Sequence, residues 1–272
     1  MYLEFKILCR DEQKEIIMAE LEPLGFEGFW ENGDTIFAFI EEKKLDEKQI
    51  YNMLSVYGLE NNYSFEAMED KNWNDEWEKN FEPVEVLNKV YIRANFHAAK
   101  PEFPFEIIIN PKMSFGTGHH ATTRLIIRLM LSSELRNKTV LDMGCGTGIL
   151  SVLAEKMGAK SVLAIDNDEW SYENAMDNIK ENNCRHVSVK LGSVEEAGEN
   201  PFDIVISNIT RNINLMLLPS LEKLVLKGGL FFLSGFLEFD KSDMKREIES
   251  LGFEEVESIS EENWQGLCFK KS

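Results

Sequence analysis

The sequence predicts an α/β protein: a doubly wound, mostly parallel seven-stranded sheet preceded by a small α+β domain of ferredoxin-like order. Three observations carry this. Beyond Val84, short apolar runs alternate with amphipathic stretches. The last two runs, GFEEVESIS and WQGLCFKK, suit an antiparallel hairpin on one edge. Before Asp70, the patterns fall in the order β-α-β-β-α-β.

The elements follow in order. YLEFKILC alternates as a half-buried strand does, and DEQKEIIMAELEP repeats apolar residues three and four apart until Pro23 ends the helix. GFEGFWE, the turn Asn32-Gly33-Asp34 and TIFAFI form a hairpin, because Asn-Gly supplies the positive φ of a tight turn. A helix over Leu45–Leu59, closed by Gly58, and the strand NYSFEAM complete a first domain at residues 1–69. Residues 70–83 place Trp73, Trp77 and Phe81 four apart, on one side of a linker helix that Pro83 ends. In residues 84–272 the strands are KTVLDM, SVLAID, VSVKLG, FDIVISN and GGLFFLSG. The helices between them are Ile149–Met157, Glu169–Glu181, Asn212–Val225 and Lys241–Ser250. A further helix precedes the first of these strands in TTRLIIRLML, capped by Thr122 or Thr123.

Composition removes several classes of function. Against 29 Lys and Arg stand 48 Asp and Glu, a net charge of −19 that repels phosphate backbones and attracts a basic partner. Direct nucleic-acid binding is therefore not expected. No apolar run approaches the length of a membrane span, and the first residues, MYLEFKILCRDE, lack the pattern of a secretory signal. Cys9, Cys145, Cys184 and Cys268 are scattered without a C-x-x-C pair, as reduced thiols in a cytoplasmic chain would be. The four histidines form no ligand set, so no metal site is expected. A monomer without membrane contact is the expectation.

Two glycine-rich loops carry the chemistry. In VLDMGCGTGIL a strand ends, Gly144 and Gly146 turn the chain, and a helix begins at Ile149. A dinucleotide fingerprint needs G-x-G-x-x-G, whereas here Ile149 takes the third-glycine place. Asp142 stands two residues before the first glycine, where it disfavours a pyrophosphate and favours an ammonium or sulfonium group. Asp166 ends the next strand, the position from which an acid accepts hydrogen bonds from ribose hydroxyls. These features together point to S-adenosyl-L-methionine rather than a nicotinamide dinucleotide. Asn208 ends the fourth strand, at the edge where open α/β sheets bind ligands, although asparagine there is also a turn former. The other loop, Phe115-Gly116-Thr117-Gly118, reads as a flap over the methionine end of the same ligand, its glycines allowing close approach.

Taken together, NPKMSFGTGHHATT, VLDMGCGTGIL, AIDND and SNI resemble the ribosomal protein L11 methyltransferase family, PrmA, over most of the chain. The resemblance implies a Rossmann-like S-adenosylmethionine-dependent methyltransferase with a substrate-recognition domain at residues 1–69. It also implies repeated methylation of lysine side chains and the N-terminal amine of a large-subunit ribosomal protein at the stalk base. Carried over by position, cofactor contacts fall on Thr123, Gly144, Asp166 and Asn208, with Phe115, Gly116, Thr117 and Gly118 closing over the methionyl part. Asn208 takes the catalytic role of orienting the amine, and His120 matches the family's histidine, read as shaping the loop. The chain departs from the family in His119 and Ala121, where Thr and Pro are usual, and in Thr210, where Leu is. An N-methyltransferase for a small molecule or another protein, and a non-catalytic cofactor-binding module, are the alternatives.

Overall fold

A computed structural model describes residues 2–67, 81–110 and 114–272. Trp73 and Trp77 of the expected linker helix lie outside the described residues. The chain divides into two compact units, Met1–Glu76 and Trp77–Ser272.

In the first unit, β1 (Tyr2–Leu8), α1 (Asp11–Leu21), β2 (Phe26–Asn32), β3 (Thr35–Glu41), α2 (Glu47–Val56) and β4 (Tyr63–Ala67) follow the predicted order. The sheet runs β2-β3-β1-β4 with every pair antiparallel, the ferredoxin-like arrangement. Strand alternation buries Leu3, Phe5 and Ile7 with Ile36, Ala38 and Ile40, and Ile17, Leu21, Ile50 and Leu54 of the helices join the same core. Helix α2 starts at Glu47 rather than Leu45, because the Asp46 carboxylate accepts from Gln49 N at 3.1 Å and caps it.

The second unit opens with β5 (Val84–Val86), β6 (Val90–Arg93) and β7 (Phe105–Ile108), which pair in a separate three-stranded sheet. Nothing in the hydrophobic pattern marked this sheet, because strands of three and four residues are too short to show a period. After α3 (Ala121–Leu131) come β8 (Thr139–Met143), α4 (Ile149–Lys156), β9 (Ser161–Asp166), α5 (Glu169–Glu181) and β10 (Val187–Leu191). The return half is β11 (Phe202–Asn208), α6 (Arg211–Leu224), β12 (Val225–Leu237), α7 (Lys241–Ser250), β13 (Phe253–Glu261) and β14 (Trp264–Lys271). Seven strands lie in the order β10-β9-β8-β11-β12-β14-β13, the first five parallel and β14 antiparallel to both its neighbours. Val225, read as the end of a helix, instead starts β12.

Two apolar layers hold the sheet. On one face, Val140, Ile204, Ile206 and Phe232 pack with Ile126 and Leu129 of α3 and Leu150 and Leu153 of α4. On the other, Leu141, Val205, Phe231 and Leu233 pack with Leu217 and Leu221 of α6 and Met244 and Ile248 of α7. Among the described residues, no helix is long and apolar enough to cross a membrane.

Candidate functional site

Strand register assembles the site. Parallel pairing aligns Ile165, Met143 and Ser207 across β9, β8 and β11. One residue further on, Asp166, Gly144 and Asn208 therefore stand in a row at the carboxyl ends of three adjacent strands. Chain order reverses between β8 and β11, and this reversal point is where open α/β sheets receive ligands.

The glycine turn is built from backbone that only glycine adopts readily. Gly144, Gly146 and Gly148 have φ of +71°, +53° and +76°. Gly144 N donates to Ile165 O at 2.8 Å, and Gly146 N donates to Asp166 Oδ2 at 2.8 Å. The other oxygen of Asp166 accepts from Asp168 N at 3.0 Å, so this carboxylate ties the β8 turn to the start of α5. The two loops also touch each other, which sequence reasoning missed. A Cβ on Gly146 would sit 2.3 Å from Phe115 O, and one on Gly116 would sit 2.9 Å from Thr147 Oγ1. The glycines therefore make room for the chain's own flap, where the sequence reading had them making room for a ligand. A Cβ on Gly144 would likewise meet Ile209 Cγ2 at 2.2 Å.

The flap rests on Thr147. Phe115 O accepts from Thr147 N at 2.9 Å, and Gly116 O accepts from Thr147 Oγ1 at 2.5 Å. A Cβ on Gly118 would meet Ile92 Cδ1 at 2.7 Å, so this glycine packs on β6. Thr117 is turned to His119, with 3.1 Å between Oγ1 and Nδ1, while His119 Nε2 donates to Glu82 O at 2.9 Å. In the neutral imidazole that donation leaves Nδ1 as the acceptor for the Thr117 hydroxyl. The cap of α3 is His120, not Thr122 or Thr123: its Nδ1 accepts from Thr122 N at 3.3 Å and meets the Thr122 hydroxyl at 2.8 Å. The His120 ring lies between those of Phe115 and Trp264, with centroids at 5.1 and 4.7 Å. Burial, reinforced by the neighbouring Arg124 guanidinium, holds its pKa below the usual imidazole value. Arg124 also donates to Glu261 Oε1 at 2.6 Å and to His119 O, joining the base of the flap to the β13–β14 hairpin.

Asp142 sits on the face covered by α4, only 1% exposed, where its Oδ2 accepts from Ser151 Oγ at 2.6 Å. Burial pushes its pKa up to about 6; the Ser151 hydrogen bond opposes this, and the charge of Asp166 adds to it. The thiol of Cys145 is pushed up as well, chiefly by burial, which makes it a packed small residue rather than a nucleophile. Near these loops, the buried Asn208 Oδ1 and Thr123 Oγ1 have no hydrogen-bond partner among the described residues. A buried polar atom without a partner costs about 1–3 kcal/mol, so such atoms mark places where a polar ligand fits. Asn208 belongs to the strand-end row, and Thr123 lies in the first turn of α3, where no hydrogen bond ties its side chain to that row.

Sequence reasoning overlooked Thr147, Ser151, Trp264 and the buried asparagines of α5. For the last of these a signal existed. Asn174 and Asn178 lie in the helix and Asn182 caps its end, four residues apart, and a helix interior is a poor place for asparagine unless its amide is engaged.

A family model described as "Ribosomal protein L11 methyltransferase (PrmA)" matches residues 5–272. The ribosomal protein L11 methyltransferase of Phocaeicola vulgatus is 40% identical over 266 residues, covering 96% of this chain and 95% of that protein. The one from Porphyromonas gingivalis is 41% identical over 260 residues, covering 94% and 90%. A crystal structure of ribosomal protein L11 methylase from Lactobacillus delbrueckii subsp. bulgaricus aligns with a TM-score of 0.64 at 24% identity. It covers 71% of this chain and 100% of that one, a likeness of fold. Because the family match runs through both units, the chain belongs to the ribosomal protein L11 methyltransferase family.

Proposed function

We propose that this protein transfers methyl groups from S-adenosyl-L-methionine to amines of ribosomal protein L11, acting on lysine side chains and the N-terminal amine. Family membership supports the reaction class and the protein substrate. The observation that carries the site assignment is the unpartnered, buried Oδ1 of Asn208 at the carboxyl end of β11. Thr123, Gly144, Asp166 and Asn208, with Asp142, Gly146 and the flap Phe115–Gly118, would hold the cofactor, which supplies an electrophilic methyl group on a sulfonium.

The chain's own residues then have two tasks. One is alignment, which fixes the attacking nitrogen in line and contributes several kcal/mol in oriented reactions. The other is to favour the neutral amine, since free lysine has a pKa of about 10.4 and its ammonium has no lone pair to attack with. Entry of the amine into a site at the strand ends would strip water from it and lower that pKa. Asn208 Oδ1 accepts a hydrogen bond from the amine and sets the direction of its lone pair. His120 has a pKa below the imidazole norm and its Nδ1 committed to the α3 cap, so we assign it loop shaping rather than proton removal.

Asn208→Ala should lower methylation of purified L11 by on the order of a hundredfold. Cofactor affinity, followed by calorimetry, should fall only modestly. Wild-type turnover in this variant would remove Asn208 from the reaction. We further propose that the first unit selects the substrate, that the stalk-base location of L11 suits an acidic enzyme binding a basic protein without touching nucleic acid, and that the enzyme works as a cytoplasmic monomer. Mass spectrometry of L11 after incubation with enzyme and cofactor identifies the amines modified.

A further inference from the structure

Thr147 has every polar atom engaged by a distant part of the chain. Its N–H and hydroxyl donate to the carbonyls of Phe115 and Gly116 in the flap. Its own carbonyl accepts from Asn178 Nδ2 at 2.9 Å. Asn178 Oδ1 in turn accepts from Asn110 N at 2.7 Å, at the stem from which the flap departs. Thr147 and Asn178 are both fully buried. The amide of Asn178 has one possible orientation, because an N–H must meet its oxygen on one side and a carbonyl its nitrogen on the other. Neighbouring asparagines extend the arrangement along α5. Asn174 Oδ1 takes a second, longer bond from Asn178 Nδ2 at 3.3 Å, and Asn182 binds both backbone groups of Ile108 in β7, at 2.9 and 2.6 Å.

One side chain thus binds the glycine turn and the backbone N–H of Asn110, five residues before the flap begins. We infer that Asn178 is a positioning residue: by gripping Thr147 on one side and the flap stem on the other, it fixes the separation between the glycine turn and the flap, and so sets the affinity for the methionyl half of the cofactor. This deepens the proposed function and rests on that reading. Asn178 acts through Thr147 and touches neither reactant. Its influence therefore falls on cofactor binding, while the amine-orienting group, Asn208, stands on a different element.

The test uses the full-length protein with S-adenosyl-L-methionine and S-adenosyl-L-homocysteine as calorimetric probes, alongside thermal melts and L11 methylation kinetics. Asn178→Asp keeps the acceptor for Asn110 N but loses the donor to Thr147. It should weaken binding of both probes by at least about tenfold and raise the KM for cofactor, leaving the KM for L11 and kcat at saturating cofactor within about twofold. Thr147→Val keeps the backbone bonds and loses the hydroxyl bond to Gly116, so it should weaken binding less. The double variant should be no weaker than Asn178→Asp by more than about twofold, because both changes loosen the same flap. A lowered melting temperature with unchanged probe affinity would reduce Asn178 to an ordinary core residue and overturn the inference. If Asn178→Asp does not fold, Asn178→Ser, too short to hold both Thr147 O and Asn110 N, takes its place, and wild-type probe affinity in that variant overturns the inference equally. Absence of probe binding to the wild type would instead refute the cofactor reading itself.

Discussion

Asp142 shows how a fold can hold a carboxyl group against its solution preference. In the unfolded chain it titrates near 3.9; in the folded protein burial moves it to about 6. The native state therefore binds the extra proton between these values, and the contribution of this residue to stability falls as pH rises from about 4 to about 6. Above that window the ionised buried group costs on the order of 3 kcal/mol. Asp142→Asn keeps an acceptor for Ser151 Oγ without the charge. Denaturant melts of the cofactor-free protein should show the variant more stable than the wild type at pH 7.5, with the difference vanishing towards pH 4. An equal difference at both pH values would mean that Asp142 is not the titrating group.

Helix α3 is the element whose start decides the shape of the flap. The sequence offered Thr122 and Thr123 as caps, residues of a favoured type, but His120 takes the position and the Thr122 side chain bonds the imidazole. Propensity misled here because a threonine already inside the helix cannot also stand before it. His120→Ala should cost about 1 kcal/mol in chemical denaturation, and His120→Asn should recover most of it. The pKa of His120 lies below its unfolded value, so its capping contribution is complete above about pH 6.5 and is lost as pH falls through the lower, folded value. His120→Asn should abolish that part of the pH dependence. The glycine turn and the strand-end acids were legible because φ > 0 and position at a strand end leave marks in sequence. Contacts such as Thr147 with Phe115 join segments far apart in the chain, and no local pattern records them.

For the molecule as a whole, both architectures could be read from periodicity, since each strand with one buried face alternates and each covering helix repeats every three to four residues. The sheet of β5, β6 and β7 escaped, as did the four-residue spacing of buried asparagines in α5. Removing residues before about Asp70 takes away the first unit's sheet and helices. The remaining protein should bind cofactor in calorimetry yet no longer methylate L11. Normal methylation by this truncation would assign substrate selection to the second unit. The net charge of −19 gives a second expectation at this scale. Encounter with a basic protein should slow as salt rises, so kcat/KM for L11 should fall several-fold between 50 and 300 mM NaCl while cofactor affinity changes little.

The carbonyl of Phe115 stands where a side chain on Gly146 would have to go, so position 146 has no room to grow. An engineer who wants this scaffold to accept bulkier sulfonium donors gains nothing by trimming there, because no side chain exists to remove. Phe115 is 53% exposed as a residue, and its anchoring bond to Thr147 comes from the backbone. Shortening that ring leaves the latch in place, which makes it the natural first position to vary.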